Sequence, residues 1–184
     1  QHLIKSGMPV REVQKLCDVH SALFHGRTEN EVLADEIHRQ AAKVEEGAVA
    51  DLPEEHPLRV LEQKNAGLAV LLDAMEKEMA GAGEGAKLLA GLGQLNGLYA
   101  HYGKKEELLM PFLYDYGVTG PSQVMWGVDD EIKKEMGTIR KALAEDPDSY
   151  LIYRGRLQNL LTRIREMIYK EEKILFPLAL RYFT

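Results

Sequence analysis

The feature that most restricts the fold is a helical spacing of apolar residues along almost the whole chain. Apolar side chains recur every three or four positions over residues 9–26, 57–80, 86–116, 122–144 and 149–183. No segment shows the strict alternation of a half-buried strand. Glycine- and proline-containing breaks near 80–85, 117–121 and 145–148 separate the last four segments. The pattern predicts an all-α protein in which residues 56–183 form an up-down four-helix bundle.

The first fifty residues are predicted to form a separate unit. Additional helices are expected there, over residues 9–26 and in a more polar stretch at 29–46. We therefore divide the chain into residues 1–50, the end of a helical module with its linker, and residues 51–184, the bundle. Because the chain opens with Gln1 and shows no signal peptide, we expect it to be a piece of a longer protein.

Charge and cysteine content exclude several classes of function. A net charge of −6 does not support a nucleic-acid-binding surface. Cys17 is the single cysteine, so internal disulfides and cysteine-based metal or iron–sulfur sites are excluded, and a reducing, cytoplasmic location is expected. No apolar run approaches the ~18 residues of a membrane span.

Histidines and carboxylates fall on the apolar faces of several helices. His20 and Glu171 have apolar neighbours three and four residues away, and His101 shares its helix face with Leu98 and Leu108. One of the pair Asp129 and Asp130 leans inward, and His56 lies at a helix start. Such residues are either paired core residues or ligands. Imidazoles and carboxylates that meet between helices are the construction of di-iron and di-manganese bundles, and zinc also accepts such donors.

Four segments carry a family resemblance. They are His56-Pro57-Leu58, residues 101–111 (HYGKKEELLMP), residues 125–132 (MWGVDDEI) and residues 170–177 (KEEKILFP). In order and spacing they resemble the hemerythrin-type HHE cation-binding domain over about residues 50–184. Residues 1–26 resemble the end of an uncharacterised helical module that precedes this domain in a subgroup often followed by a PAS sensor domain. The resemblance implies a non-haem iron centre, usually di-iron, that binds, senses or reacts with dioxygen, peroxide or nitric oxide.

The resemblance also implies a ligand set, with departures from the family pattern. The expected metal ligands are His20, His56, His101, Glu106, Asp129, Glu171 and Glu172. Lys64 and Asn65 stand where the family often has a carboxylate or histidine. Lys105 stands at the fourth place after His101, where the family has a glutamate, and Met167 stands where the family has a histidine. The alternative function is therefore a metal-poor or single-metal module for interaction or signal relay. Enzyme, sensor and storage roles, and the oligomeric state, stay open.

Two local expectations follow from these departures. A π-type widening between Tyr99 and Pro111 would turn Glu106 inward beside His101 and Lys105 toward solvent or a helix seam, whereas a regular helix would leave Glu106 on the surface. No such widening is expected before Pro177. Lys64 is expected to approach the site and to disfavour a second cation.

Overall fold

The computed structural model describes residues 49–81, 83–116 and 120–183, and these residues form helices and no strand. In chain order the helices are α1 (Pro57–Ala80), α2 (Gly85–Gln94), α3 (Gly97–Leu108), α4 (Met110–Asp115), α5 (Gly120–Glu145), α6 (Tyr150–Lys170) and α7 (Phe176–Phe183). A 3-10 turn occupies Pro147–Ser149, and a π-helical turn occupies Glu171–Leu175. The all-α class is confirmed. The helices predicted before residue 47 lie outside the described residues.

These helices make four long segments that pack around one core. The segments are α1, α2 to α4, α5, and α6 to α7. Helix α1 packs against α2 and α6, and α5 packs against α2, α3 and α6, so each segment has two neighbours, as in the predicted four-helix bundle. The centre of the core is fully buried in each segment, as at Leu72, Leu92, Ile139 and Leu161.

Two of the predicted helices are interrupted. The segment 86–116 is three helices, because a tight turn at Leu95 and Asn96 ends α2 and a break at Leu109 ends α3. The break at Leu109 comes two residues before Pro111, which cannot donate the backbone hydrogen bond of a regular helix. In the last segment, the π-helical turn directly precedes Phe176 and Pro177.

The connections between segments are close-packed. Gly83 has a φ of +67°, and a Cβ there would lie 2.7 Å from Cε1 of Tyr150. A Cβ at Gly85 would lie 2.0 Å from the carbonyl oxygen of Pro147. The predicted breaks near 80–85 and 145–148 therefore meet each other in the fold. Of the break predicted at 117–121, residues 117–119 lie outside the described residues, and α5 already includes Gly120.

Among the described residues, no helix is both long and apolar enough to cross a membrane.

Candidate functional site

A buried lysine occupies the centre of the bundle's polar site. The Lys105 side chain is fully buried, and its Nζ lies 2.7 Å from Oε1 of Glu171. The same nitrogen lies 3.0 Å from Oδ1 and 2.7 Å from Oδ2 of Asp129. Both carboxylates are also fully buried. One ammonium group from α3 thus joins a carboxylate from α5 to one from the π-helical turn.

His101 completes this group of residues. It lies one turn before Lys105 on the inner face of α3, and its Nε2 is 2.8 Å from Oε2 of Glu171. Because an ionised carboxylate only accepts hydrogen bonds, we assign the proton of the His101 ring to Nε2. Nδ1 of His101 is buried and has no hydrogen-bond partner among the described residues. We call His101, Lys105, Asp129 and Glu171 the ionic cluster.

The two carboxyl groups of the ionic cluster differ in their electrostatics. Burial alone would raise the pKa of Glu171, but the charge of Lys105 and the hydrogen bond from His101 outweigh it, so this pKa is lowered. Burial raises the pKa of Asp129 to about 7; Lys105 opposes this effect, while Glu171 and Glu106 add to it. Glu171 is therefore the permanent anion of the ionic cluster, and Asp129 titrates near neutral pH.

Tyr102 covers one side of the lysine. The centroid of its ring lies 4.3 Å from Nζ of Lys105, within the range of a cation–π contact. Burial, and then the charges of Asp129 and Glu171, raise the pKa of Tyr102 above its usual value, so the phenol stays neutral. The aromatic face and the two carboxylates surround the ammonium group and keep water from it.

Lys105 was missed by the sequence analysis, although the sequence contains a signal for it. Lys105 stands six residues before Pro111, and Glu171 stands six residues before Pro177. The segments Lys105–Pro111 (KEELLMP) and Lys170–Pro177 (KEEKILFP) are similar and form an internal repeat. Aligning the two copies of this repeat on their prolines places the lysine where the second repeat has its buried glutamate. Lys64, which we expected to approach the site, is partly exposed, and burial and the nearby Lys104 lower its pKa. The lysine found within the ionic cluster is Lys105, and the approach of Lys64 to the site stays a prediction.

The expected inward turn of Glu106 is wrong. Its carboxylate lies at a helix seam, 3.3 Å from Nζ of Lys133. The N–H of Leu109 donates to the carbonyl of Lys105 at 3.1 Å, which is regular i→i+4 bonding, so α3 does not widen there. The break at Leu109 accommodates Pro111 instead. The π-helical widening occurs in the second repeat, where the N–H of Phe176 donates to the carbonyl of Glu171.

The remaining predicted ligands do not join the ionic cluster. Nδ1 of His56 accepts a hydrogen bond from the N–H of Leu58 at 3.2 Å and caps α1. His56 also lines an apolar cavity of about 550 Å³, together with Pro57, Leu58, Leu108, Leu109, Phe112, Tyr116 and Tyr182. Glu172 faces α1, where the charge of Glu62 acts on it. His20 lies outside the described residues.

Comparison with known families agrees with this architecture. The model of the hemerythrin HHE cation-binding domain matches residues 56–179. The chain belongs to this family. Residues 1–30 match a family of unknown function, DUF438. Searches among curated proteins and among solved structures found no match.

The ionic cluster of this hemerythrin-type domain does not fit a metal ion. Such an ion would share Asp129 and Glu171 with an ammonium group that already lies 2.7 Å from each, and two neighbouring cations repel each other. Within residues 49–81, 83–116 and 120–183, no three histidine, cysteine, aspartate or glutamate side chains form a group that could hold a metal. The cation of this site is the lysine itself.

Proposed function

We propose that this hemerythrin-type domain is a metal-poor module for interaction or signal relay, in which Lys105 takes the role of a bound cation. The observation that carries the proposal is the position of Nζ, within 3.0 Å of both Asp129 and Glu171 in a fully buried site. Buried carboxylates require a counter-charge with good hydrogen-bond geometry, and the ammonium group provides it. The core of the bundle is then complete without iron.

A relay role fits the expected place of the bundle in a longer chain. In the sequence the bundle follows residues 1–50, which we expect to be the end of a helical module, and the proposal places a PAS-type sensor domain after the bundle. In this arrangement the bundle passes small helix shifts from one neighbour to the other inside the cytoplasm. In this proposal the ligand that starts the signal binds to the sensor domain and not to a metal in the bundle.

A second candidate function is the binding, sensing or conversion of dioxygen, peroxide or nitric oxide at a non-haem iron, with manganese or zinc as alternatives. The family match favours it. So does Nδ1 of His101, a buried nitrogen that has no hydrogen-bond partner among the described residues. A neutral imidazole whose other nitrogen donates to a carboxylate is a common metal ligand.

Metal analysis of three proteins tests the proposal. The wild-type chain, Lys105→Glu and Lys104→Glu are grown with iron, reconstituted with Fe(II) without oxygen and desalted. We expect fewer than two irons per wild-type chain and no near-ultraviolet oxo-bridge band. Lys105→Glu should bind more iron, because it replaces the buried ammonium with a carboxylate beside His101, Asp129 and Glu171.

Lys104→Glu is the matched control. It makes the same change of charge one residue earlier, at an exposed position, so its iron content should equal that of the wild type. Two irons per wild-type chain, with an oxo-bridge band, would overturn the proposal and support the iron-dependent function.

A further inference from the structure

An open apolar cavity lies at the end of the bundle where α1 begins. Its volume is about 550 Å³, which is within the usual size of sites that bind small organic molecules. Leu58 and Leu109, both almost fully buried, form its floor. Leu108, Phe112 and Tyr116 also line it, with 47%, 54% and 56% of their surface exposed. The cavity therefore leads from the solvent to the core of the bundle.

The cavity is a consequence of where the helices begin and break. Helix α1 begins at Pro57, after His56, and the break at Leu109 separates α3 from α4. Tyr182, from the last turn of α7, lines the same space. A molecule bound there would contact the start of one segment, the break in a second and the end of a third. None of the described residues that line the cavity belongs to the ionic cluster.

Aromatic rings form much of the cavity wall. The rings of Tyr116 and Tyr182 are stacked, with centroids 5.2 Å apart and an interplanar angle of 27°. Phe112 and the imidazole of His56 add two further rings to the lining. Because aromatic side chains interact favourably with another ring, these faces favour a flat aromatic molecule over a flexible alkyl chain.

The described residues that line the cavity include no lysine, arginine, aspartate or glutamate. Nδ1 of His56 accepts a hydrogen bond from the N–H of Leu58 at 3.2 Å, so we assign a neutral ring with its proton on Nε2. Nε2 has no hydrogen-bond partner among the described residues. A ring N–H in an uncharged, mostly apolar cavity favours an uncharged ligand that carries an oxygen acceptor.

We propose that this cavity binds a small, uncharged aromatic molecule whose carbonyl or hydroxyl oxygen accepts a hydrogen bond from Nε2 of His56. The ring system of the ligand stacks against the aromatic wall and covers Leu58 and Leu109. Burial of apolar surface stabilises the complex, and the hydrogen bond fixes the orientation of the ligand. The inference goes beyond the proposed function and does not depend on it, because it involves neither Lys105 nor a metal.

Binding of prodan to the full chain tests the proposal. Prodan is an uncharged naphthyl ketone whose fluorescence shifts to the blue in an apolar site. We expect saturable binding of one prodan per wild-type chain, with blue-shifted emission. Leu108→Gln and Phe112→Ala should each weaken binding at least about fivefold, because they remove apolar contact with the ligand. Circular dichroism confirms that each variant is folded.

A third variant tests the hydrogen bond. His56→Asn keeps a side-chain oxygen that can cap α1 but removes the imidazole. It should weaken the binding of prodan about fivefold, which is within the range expected for the loss of one hydrogen bond. An unchanged affinity would overturn the assignment of Nε2 as the donor to the ligand.

Two methyl ketones with the same number of carbon atoms test the class of ligand. 2-Acetylnaphthalene has an aromatic ring system, and dodecan-2-one has a flexible alkyl chain. 2-Acetylnaphthalene should displace prodan at an at least about fivefold lower concentration, because it stacks against the rings and loses less conformational freedom on binding. Equal or stronger displacement by dodecan-2-one would overturn the choice of an aromatic ligand.

Leu151→Gln is the control. It makes the same change as Leu108→Gln at a leucine on α6 that is 77% exposed and outside the cavity lining, so its affinity for prodan should stay within about twofold of the wild type. The absence of saturable binding would overturn the ligand site and leave the proposed function intact. Binding that neither Leu108→Gln nor Phe112→Ala weakens would also overturn it, because the probe would then lie elsewhere.

Discussion

Replacing Lys105 by methionine should be one of the most destabilising single changes in the bundle. Methionine keeps much of the length of the lysine stem but removes the charge. Asp129 and Glu171 would then face each other without a counter-ion, at no more than twice the 2.7 Å that separates each from the nitrogen. Removing one partner of a buried ion pair costs about 3–5 kcal/mol, because the other charge stays buried and uncompensated. We expect a loss in this range in the free energy of unfolding at pH 8.

The loss should shrink as the pH falls. The pKa of Asp129 is already raised to about 7 by burial, and removing Lys105 raises it further, because Lys105 opposes that effect. The folded variant therefore binds a proton that the unfolded chain releases, and its stability increases from pH 8 towards pH 5. The difference between Lys105→Met and the wild type should be clearly smaller at pH 5.5 than at pH 8.

Urea unfolding followed by far-ultraviolet circular dichroism measures this effect, in buffer with EDTA so that no metal replaces the lost charge. Lys104→Met, at an exposed position, should change stability by no more than about 0.5 kcal/mol. Adding both Asp129→Leu and Glu171→Met to Lys105→Met should restore most of the loss, since replacing a whole buried ionic group by apolar residues is close to neutral, whereas adding Asp129→Leu alone leaves Glu171 without its counter-charge. A loss below about 1 kcal/mol for Lys105→Met at pH 8 would refute the assignment of Lys105 as the cation of the site.

Three further predictions use the same unfolding assay. The free energy of unfolding of the wild type should fall between pH 4 and pH 7, because folding raises the pKa of Asp129 and the proton that stabilises the folded state is lost as the pH rises. The change in pKa from 3.8 to about 7 corresponds to at most about 4 kcal/mol. Asp129→Asn should abolish this decline. Asn65→Leu should stabilise the protein by about 1–3 kcal/mol, because it removes a buried amide that has no hydrogen-bond partner among the described residues; a loss of stability would show that the amide is paired. Gly85→Ala should cost about 1–3 kcal/mol because its Cβ would meet the Pro147 carbonyl, whereas Gly93→Ala, with open space around it, should be neutral or stabilising.

The helical periodicity was sufficient to predict the architecture, but not where the helices are interrupted. Helix α1 begins at Pro57, as the sequence predicts, since proline at a first helical position is a strong start signal. The turn at Leu95 and Asn96 was missed because the apolar spacing continues through it. Pro111 and Pro177 each remove one backbone hydrogen-bond donor from their helix. The local sequence does not indicate whether the helix then breaks or forms a π-helical turn.

The composition of the site was harder to predict for an electrostatic reason. The family's ligand pattern favours Glu106 in the interior and Lys105 toward solvent or a helix seam. A single helix gives no sign that a lysine is paired, and an unpaired lysine is almost never buried. Lys105 becomes a stable interior residue only because Asp129 and Glu171 approach it from two other elements. Inward positions for His101 and Glu171, and for one of Asp129 and Asp130, could be predicted from their own helices, and Asp129 is the buried one. Their role as ligands stays a prediction.

The proline-aligned repeats indicate how the ionic cluster balances its charge. Lys105 and Glu171 hold equivalent places in the two repeats and contact each other in the fold. Because one is a lysine and the other a glutamate, this contact is an attraction between opposite charges. With Asp129 ionised, one ammonium faces two carboxylates; with Asp129 protonated, the charges of Lys105 and Glu171 cancel. Since the pKa of Asp129 is about 7, the ionic cluster is never more than one charge from neutrality near physiological pH. A divalent cation bound at the ionic cluster would reverse that balance.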